Sequence, residues 1–276
     1  MTEPLIDARG VIVAYAGQRG AFGKRLPPKP VLHSVDIVIG RGETVGIVGE
    51  SGSGKTTLGR ALMGLIKPSV GSIQFDGHEI AGLTEAAMRP LRRRMQMIFQ
   101  DPMSSLNPRR AIRHILVEPL LLHGVTADRR AAEAQVRAVF ERVGLPAAAL
   151  DRYPHELSGG QRQRVGIARA VVLKPDFVLA DEIVSGLDVS TQAQVLQLLG
   201  ELNREMNLSM AFISHDLSVV RAVCDRIYVL SEGRVVEQGP CESVFAAPQD
   251  AYTRTLIEAI PLPVIDPDWL TRRQPQ

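Results

Sequence analysis

The chain has few of the residues that build extracellular or metal-centred folds. Its two cysteines, Cys224 and Cys241, stand apart without a C-x-x-C pair. That excludes a disulfide framework and points to a reducing compartment. Its six histidines show no H-E-x-x-H spacing, so no zinc-hydrolase signature is present. No apolar run approaches the length that spans a bilayer. The start, Met1-Thr2-Glu3-Pro4-Leu5-Ile6-Asp7, lacks the basic region and apolar core of a secretory signal. The net charge of +2 makes no global demand for nucleic acid or an acidic membrane surface. There is no tandem repeat and no low-complexity tract. What remains is a 276-residue chain with ample core for one large domain or two small ones. It is expected to be soluble and cytoplasmic, with any membrane-spanning work left to other subunits.

The strongest positive signal is Gly49-Glu50-Ser51-Gly52-Ser53-Gly54-Lys55-Thr56, a G-x-x-x-x-G-K-T match without a mismatch. The run 43–48 before it reads as a buried strand, and 57–64 after it as a helix ending near Gly64. A strand, a glycine loop and a helix form the setting in which backbone N–H groups wrap a polyphosphate at a helix N-terminus. Lys55 then reaches the outer phosphates, and Thr56 offers its hydroxyl to magnesium.

Residues 9–15 and 31–39 alternate as strands, separated by a glycine-, proline- and cation-rich stretch at 17–30 that reads as a flexible loop. Tyr15, just before that loop, is either an ordinary strand aromatic or one that stacks on a purine, and the phosphate loop downstream favours stacking. Residues 72–80 read as a hairpin turning at Asp76-Gly77. Strands this dense predict an antiparallel subdomain beside the phosphate-binding core. Arg92-Arg93-Arg94 reads as a solvated helix face. Residues 95–99 form a buried-strand pattern ending on Gln100, and 101–108 reads as a loop. Gln100 seen alone is a polar strand end. Beside a nucleotide it is placed to touch the metal or the attacking water. Val136, Val139, Phe140 and Val143 form an amphipathic stripe in a helix-rich stretch at 111–145. A helical subdomain is thus expected over about 90–155, inserted into the core.

Ser158-Gly159-Gly160-Gln161 fits a capping box that opens a helix with little side-chain hindrance. It is an ordinary cap or a second anion site. Phe177-Val178-Leu179-Ala180 is a buried strand with Asp181 at its C-terminal end, where open α/β sheets bind ligands. Asp181 suits holding magnesium, and Glu182 suits orienting a water for in-line attack. Ser185-Gly186-Leu187-Asp188 reads as a turn. Residues 208–213 read as a strand running into His215, on the same edge as the phosphate loop. A closing hairpin spans 227–237, and the tail beyond Gly239 holds Tyr252 through Leu262 and then a proline-rich end with Trp269.

In this order, these stretches resemble the ATP-binding subunits of ABC transporters over residues 5–240. Gly49–Thr56 looks like Walker A, Phe177–Asp181 like Walker B, and Glu182 like its catalytic glutamate. Leu157–Gln161 is identical to the ABC signature, which is the specific part of the match. Gln100 resembles the Q-loop glutamine, 185–188 the D-loop, His215 the switch histidine, and Tyr15 the adenine-stacking aromatic. The resemblance implies an α/β fold: a P-loop NTPase core with an antiparallel β subdomain and an inserted α-helical signature subdomain. It implies nucleotide contacts from Tyr15, from Gly49 through Thr57 (Glu50, Ser51, Gly52, Ser53, Gly54, Lys55 and Thr56 included), and from Ser158, Gly159, Gly160 and Gln161. It implies catalysis by Glu182, His215, Gln100 and Lys55, with Mg2+ held by Thr56, Gln100 and Asp181.

Residues 100–108, the loop at 17–30 and Tyr252-Thr253-Arg254-Thr255-Leu256 more closely resemble the peptide and nickel importer branch. Ile183-Val184, Gly186 and Asp250-Ala251 depart from the branch's usual residues. Two cysteines cannot supply the four ligands of the iron–sulfur cluster that some relatives carry near the tail. The resemblance implies an ATP-binding domain at 1–240 and a C-terminal extension at 241–276. It implies that ATP and Mg2+ are used at the cytoplasmic face of the inner membrane. The expected partners are a second ATPase subunit, two transmembrane permease subunits and, through them, a solute-binding protein, with no nucleic acid. The alternative is a soluble ABC ATPase that remodels nucleic acid or a protein complex. Such proteins often fuse two ATPase halves or carry a coiled-coil insertion, and this chain has one copy of each motif and no heptad run. A kinase sharing only the phosphate loop leaves the signature and Glu182 unexplained.

Overall fold

A computed structural model describes residues 3–15 and 27–260. The loop expected at 17–30 lies largely outside the described residues, as does the proline-rich end of the tail. The elements run β1 (Ile6–Tyr15), β2 (Lys29–Ile39), β3 (Thr44–Val48), α1 (Lys55–Leu62), β4 (Val70–Phe75), β5 (His78–Glu79), α2 (Glu85–Arg94) and β6 (Met95–Ile98). There follow α3 (Pro102–Ser105), α4 (Ile112–Leu122), α5 (Arg129–Arg142), α6 (Gly159–Val171), β7 (Phe177–Asp181), α7 (Val189–Met206) and β8 (Ser209–Ile213). The described part ends with α8 (Leu217–Val223), β9 (Arg226–Ser231), β10 (Arg234–Pro240), α9 (Cys241–Ala246) and α10 (Ala251–Glu258).

Two sheets organise these elements. The central one has six strands in the order β10-β9-β3-β8-β7-β6. β9, β3, β8, β7 and β6 are parallel, and β10 closes one edge as an antiparallel hairpin partner of β9. β3, β7 and β8 are buried along their whole length, as parallel strands covered on both faces must be. Their side chains alternate between two cores. Val178, Ala180, Met210 and Phe212 face the helices, with Leu116, Phe140, Val165 and Leu199. Phe177, Leu179, Ala211 and Ile213 face the other way, onto α1 and the second sheet. That second sheet is antiparallel, in the order β2-β1-β4-β5, and its Ile6, Val13, Ile37, Ile73 and Phe75 complete this core. Its tight turn at Asp76-Gly77 has both residues at positive φ (52° and 74°), the backbone that two-residue hairpins need.

Three expectations are corrected. β6 pairs in register with β7, Met95 opposite Phe177, so it belongs to the central sheet. The helical insertion therefore starts after β6 and not near residue 90. The stretch 101–108 is not all loop: Asp101 accepts hydrogen bonds from the N–H groups of Met103 and Ser104 and starts α3. The arginine run is not simply solvated. Arg92 donates to the carbonyls of Met63 and Gly64 beyond the end of α1. Arg94 donates to Asp176 at 2.5 Å and Asp76 at 2.6 Å while lying over the Phe75 ring. It thereby ties the antiparallel sheet's hairpin to the approach of β7. Only Arg93 of the three is exposed.

Candidate active site

The central strands deliver their C-terminal ends to one edge, and the phosphate loop leaves β3 in the middle of it. The loop's backbone is possible only with glycine at its first position. Gly49 has φ 145°, and a Cβ there would sit 2.1 Å from the carbonyl oxygen of Leu230. At its end Gly54 is left-handed (φ 105°) and precedes α1, whose first residues are Lys55 and Thr56. An open depression of about 340 Å3 lies over this turn, lined by Tyr15, Val31, Ser51, Gly52, Gly54, Lys55, Thr56, Thr57 and Glu182. Tyr15 is 46% exposed, and its hydroxyl stands 3.4 Å from Thr57 Oγ1. The aromatic is thus at the rim of the depression, with its ring open to a ligand.

Lys55 is 5% exposed. Its ammonium donates to the carbonyls of Gly49 at 2.7 Å and Glu50 at 2.8 Å. Burial lowers its pKa, opposed by the negative charges of Glu182, Asp181 and Glu50. Ser53 is buried, and its hydroxyl lacks a hydrogen-bond partner. A buried ammonium resting only on carbonyls and an unpartnered hydroxyl, both in one glycine loop, fit an incoming polyphosphate.

Thr56 Oγ1 donates to Asp181 Oδ1 at 3.2 Å, joining α1 to the end of β7. Burial raises the pKa of Asp181, the Thr56 hydroxyl opposes this, and Glu182 adds to it. Two hard oxygen donors beside a phosphate loop fit Mg2+, which takes one or two protein oxygens and completes its shell with substrate phosphates and water. Among the described residues no three His, Cys, Asp or Glu side chains form a metal cage by themselves.

Glu182 has a left-handed backbone (φ 49°), uncommon for a residue with a side chain. Its N–H donates to the Ile213 carbonyl at 3.0 Å, anchoring it to the end of β8. The turn sends its carboxylate toward two neighbours. Gln100 Nε2 donates to Oε2 at 3.0 Å, and His215 Nδ1 stands 3.5 Å from Oε1. Gln100, Glu182 and His215 are therefore brought together, with Lys55, Thr56 and Asp181 beside them. Gln100 is joined here to Glu182 and not to Asp181 or Thr56. Asp188 caps α7 by accepting from Thr191 N–H at 2.9 Å and from the Ser190 and Thr191 hydroxyls at 2.6 and 2.7 Å. These bonds, the Ser190 hydroxyl first, hold its carboxyl well below the usual carboxylate range.

Ser158, Gly159, Gly160 and Gln161 are not part of this cluster. Ser158 caps α6 reciprocally with Gln161, at 3.0 and 3.3 Å. None of the four lines the depression over the phosphate loop. Ser158 and Gly159 are exposed, so the helix N-terminus stands open to solvent, away from the chain's own phosphate loop.

Two contacts have no signal in the residue order. Val31 lines the depression from β2. Tyr252 reaches the phosphate loop from α10, where its hydroxyl accepts the Glu50 N–H at 2.9 Å. Tyr252 stands out in the sequence only as part of the tail pattern.

Comparison with known proteins gives a consistent neighbourhood. The profile of a family described as ABC transporter matches residues 32–185. A Brucella ovis protein, provisionally named a peptide import ATP-binding protein, is 50% identical over 275 residues, covering 99% of this chain and 84% of that one. The glutathione import ATP-binding protein GsiA of Salmonella paratyphi A is 44% identical over 265 residues, 96% of this chain and 42% of its own. Among solved structures, cbiO1 of Clostridium perfringens, part of the ABC transporter complex cbiONQ, superposes with TM-score 0.76 at 28% identity, over 88% of this chain and 91% of that one. A dimeric ATP-binding cassette bound to ADP and phosphate in a post-hydrolysis state superposes with TM-score 0.75 at 28% identity, over 86% of this chain and 98% of that one.

Proposed function

The chain belongs to the ABC transporter family, as an ATP-binding and ATP-hydrolysing member, and on that premise we propose that it energises the uptake of peptides or a related small solute through partner membrane subunits. The observation that carries this reading is the separation of two anion sites. The phosphate loop holds one, and the exposed N-terminus of α6 at Ser158–Gln161, outside the lining of the depression over that loop, offers the other. Head-to-tail pairing of two such domains places ATP on Lys55 and Thr56 of one against Ser158, Gly159 and Gly160 of the other. The dimeric cassette similar to this chain supports that arrangement. The partner ATPase is a second copy or a homologue.

In each site the loop's N–H groups other than that of Glu50 bind the phosphates, Lys55 neutralises them, and Tyr15 stacks on the adenine. Glu182 accepts a proton from the attacking water, while Gln100 and His215 hold its carboxylate in place. Thr56 and Asp181 would hold Mg2+, which would supply positive charge beside the phosphates. Hydrolysis removes the phosphate bridging the two domains, and the dimer reopens. The insertion that follows Gln100 carries this motion to the permease subunits.

Peptide uptake is supported by the Brucella relative's name and by GsiA. Among the described residues no helix is long and apolar enough to cross a membrane. We assign the chain to the cytoplasmic face of the inner membrane, bound to two permease subunits that receive solute from a binding protein. Residues 1–240 form the ATP-binding domain and 241–276 its extension. The test is to purify the tagged chain from its own membranes in mild detergent and identify what accompanies it. Two multi-spanning subunits bear the proposal out. Recovery with nucleic acid or ribosomes instead overturns it in favour of a remodelling ATPase.

A further inference from the structure

The peptide group between Gly49 and Glu50 is bonded on both sides. Its carbonyl, on Gly49, accepts from Lys55 Nζ at 2.7 Å. Its N–H, on Glu50, donates to the Tyr252 hydroxyl at 2.9 Å. A peptide whose N–H is bonded is polarised into a better acceptor, so the phenol strengthens the hold on the ammonium. The next carbonyl, on Glu50, accepts both Lys55 Nζ at 2.8 Å and Ser53 N–H at 3.2 Å. This segment of the loop hinges on Gly49, whose backbone no side chain stiffens.

Tyr252 is itself held firmly. Glu237 on β10 accepts the N–H groups of Gln249 and Asp250 at 2.8 and 3.0 Å, just before α10. Asp250 then accepts the Tyr252 N–H at 2.8 Å as the helix cap. Tyr252, Leu256 and Ile257 pack against the helix-side core. The phenol is thus a fixed post against which a glycine-hinged peptide leans.

We propose that Tyr252 is a positioning residue for the nucleotide site, setting the Gly49–Glu50 peptide and through it the resting place of Lys55. The C-terminal helix then braces the phosphate loop in its binding shape. The inference rests on the reading that this loop binds nucleotide. Without the hydroxyl the loop is less preorganised, and binding must bear the cost of ordering it.

The experiment compares Mg-ADP binding by the full chain, its Tyr252→Phe variant and its Lys55→Ala variant, using calorimetry. The expected result is a Kd about three- to tenfold higher for Tyr252→Phe, the fold-change of one lost hydrogen bond. Hydrogen exchange of residues 251–258 should stay as in the parent, while the Glu50 amide exchanges faster. An unchanged or tighter Kd overturns the proposal. A weaker Kd with lost protection of α10 also overturns it, because the effect then comes from undocking the helix. Failure of the parent chain to bind Mg-ADP overturns the nucleotide reading itself. Binding by the parent and loss in Lys55→Ala leave that reading standing whatever Tyr252→Phe does.

Discussion

Gln100 Nε2 donates to Glu182 Oε2 at 3.0 Å, joining residues that follow two neighbouring strands of the central sheet. The bond leaves Oε1 facing His215 Nδ1 at 3.5 Å. One carboxylate is thus steered by an amide and an imidazole, and its left-handed backbone at φ 49° is held by the Ile213 carbonyl. An orientation fixed in this way suits the base that we propose Glu182 to be.

Replacing the proposed base while keeping its shape separates binding from chemistry. Glu182→Gln should retain ATP binding and lose hydrolysis by about two to four orders of magnitude, the range of positioned general bases. Phosphate release in single turnover, beside a binding isotherm, measures both. Turnover at the parent rate would remove Glu182 from its role.

Gly49→Ala should abolish nucleotide binding without unfolding the core. Its Cβ would meet the Leu230 carbonyl oxygen at 2.1 Å, which forces the start of the phosphate loop away from β9. Binding of ADP and the circular dichroism spectrum, measured together, check the two halves of this expectation.

Arg94 ties two sheets through Asp76 and Asp176. Both pairs are partly exposed, with 34% of the arginine side chain open to solvent, so screening limits their strength. Arg94→Ala should destabilise the protein by about 1–2 kcal/mol, allowing for the lost contact with Phe75. Chemical denaturation reads this directly, and an effect near zero would make the bridge incidental.

Asp188 contributes a pH dependence of known sign. Its folded pKa is depressed, so its stabilisation is fully present above the ordinary aspartate value near pH 4 and is lost as pH falls through the lower folded value. Asp188→Asn keeps a capping side chain but removes the titration. Its melting temperature should fall below the parent's at neutral pH, and the gap should narrow as pH is lowered from about 5 toward 2. A gap that stays constant would refute the charge's part in capping α7.

The residue order by itself determined everything that depends on neighbours in sequence. The phosphate loop, the Ser158–Gln161 cap, the Asp76-Gly77 turn and the buried runs of β3, β7 and β8 rest on hydrogen bonds and periodicities spanning a few residues, so they are visible without the fold. The order of the motifs carried the family with it, and so the two-sheet architecture. The tertiary structure decided what depends on strand order and long-range side-chain reach. It moved Met95–Ile98 from the helical insertion into the sheet, because a four-residue strand is defined by the partner it pairs with. It turned two arginines of an exposed-looking run into bridges, because their carboxylate and carbonyl partners lie on other elements. It brought Gln100 and His215 to one carboxylate and set the α6 N-terminus apart from the phosphate loop. It also placed Tyr252 on Glu50, a contact across 202 residues that no local pattern encodes. Such contacts follow from where the folded sheet delivers the ends of its strands, and that is fixed only when the whole core has packed.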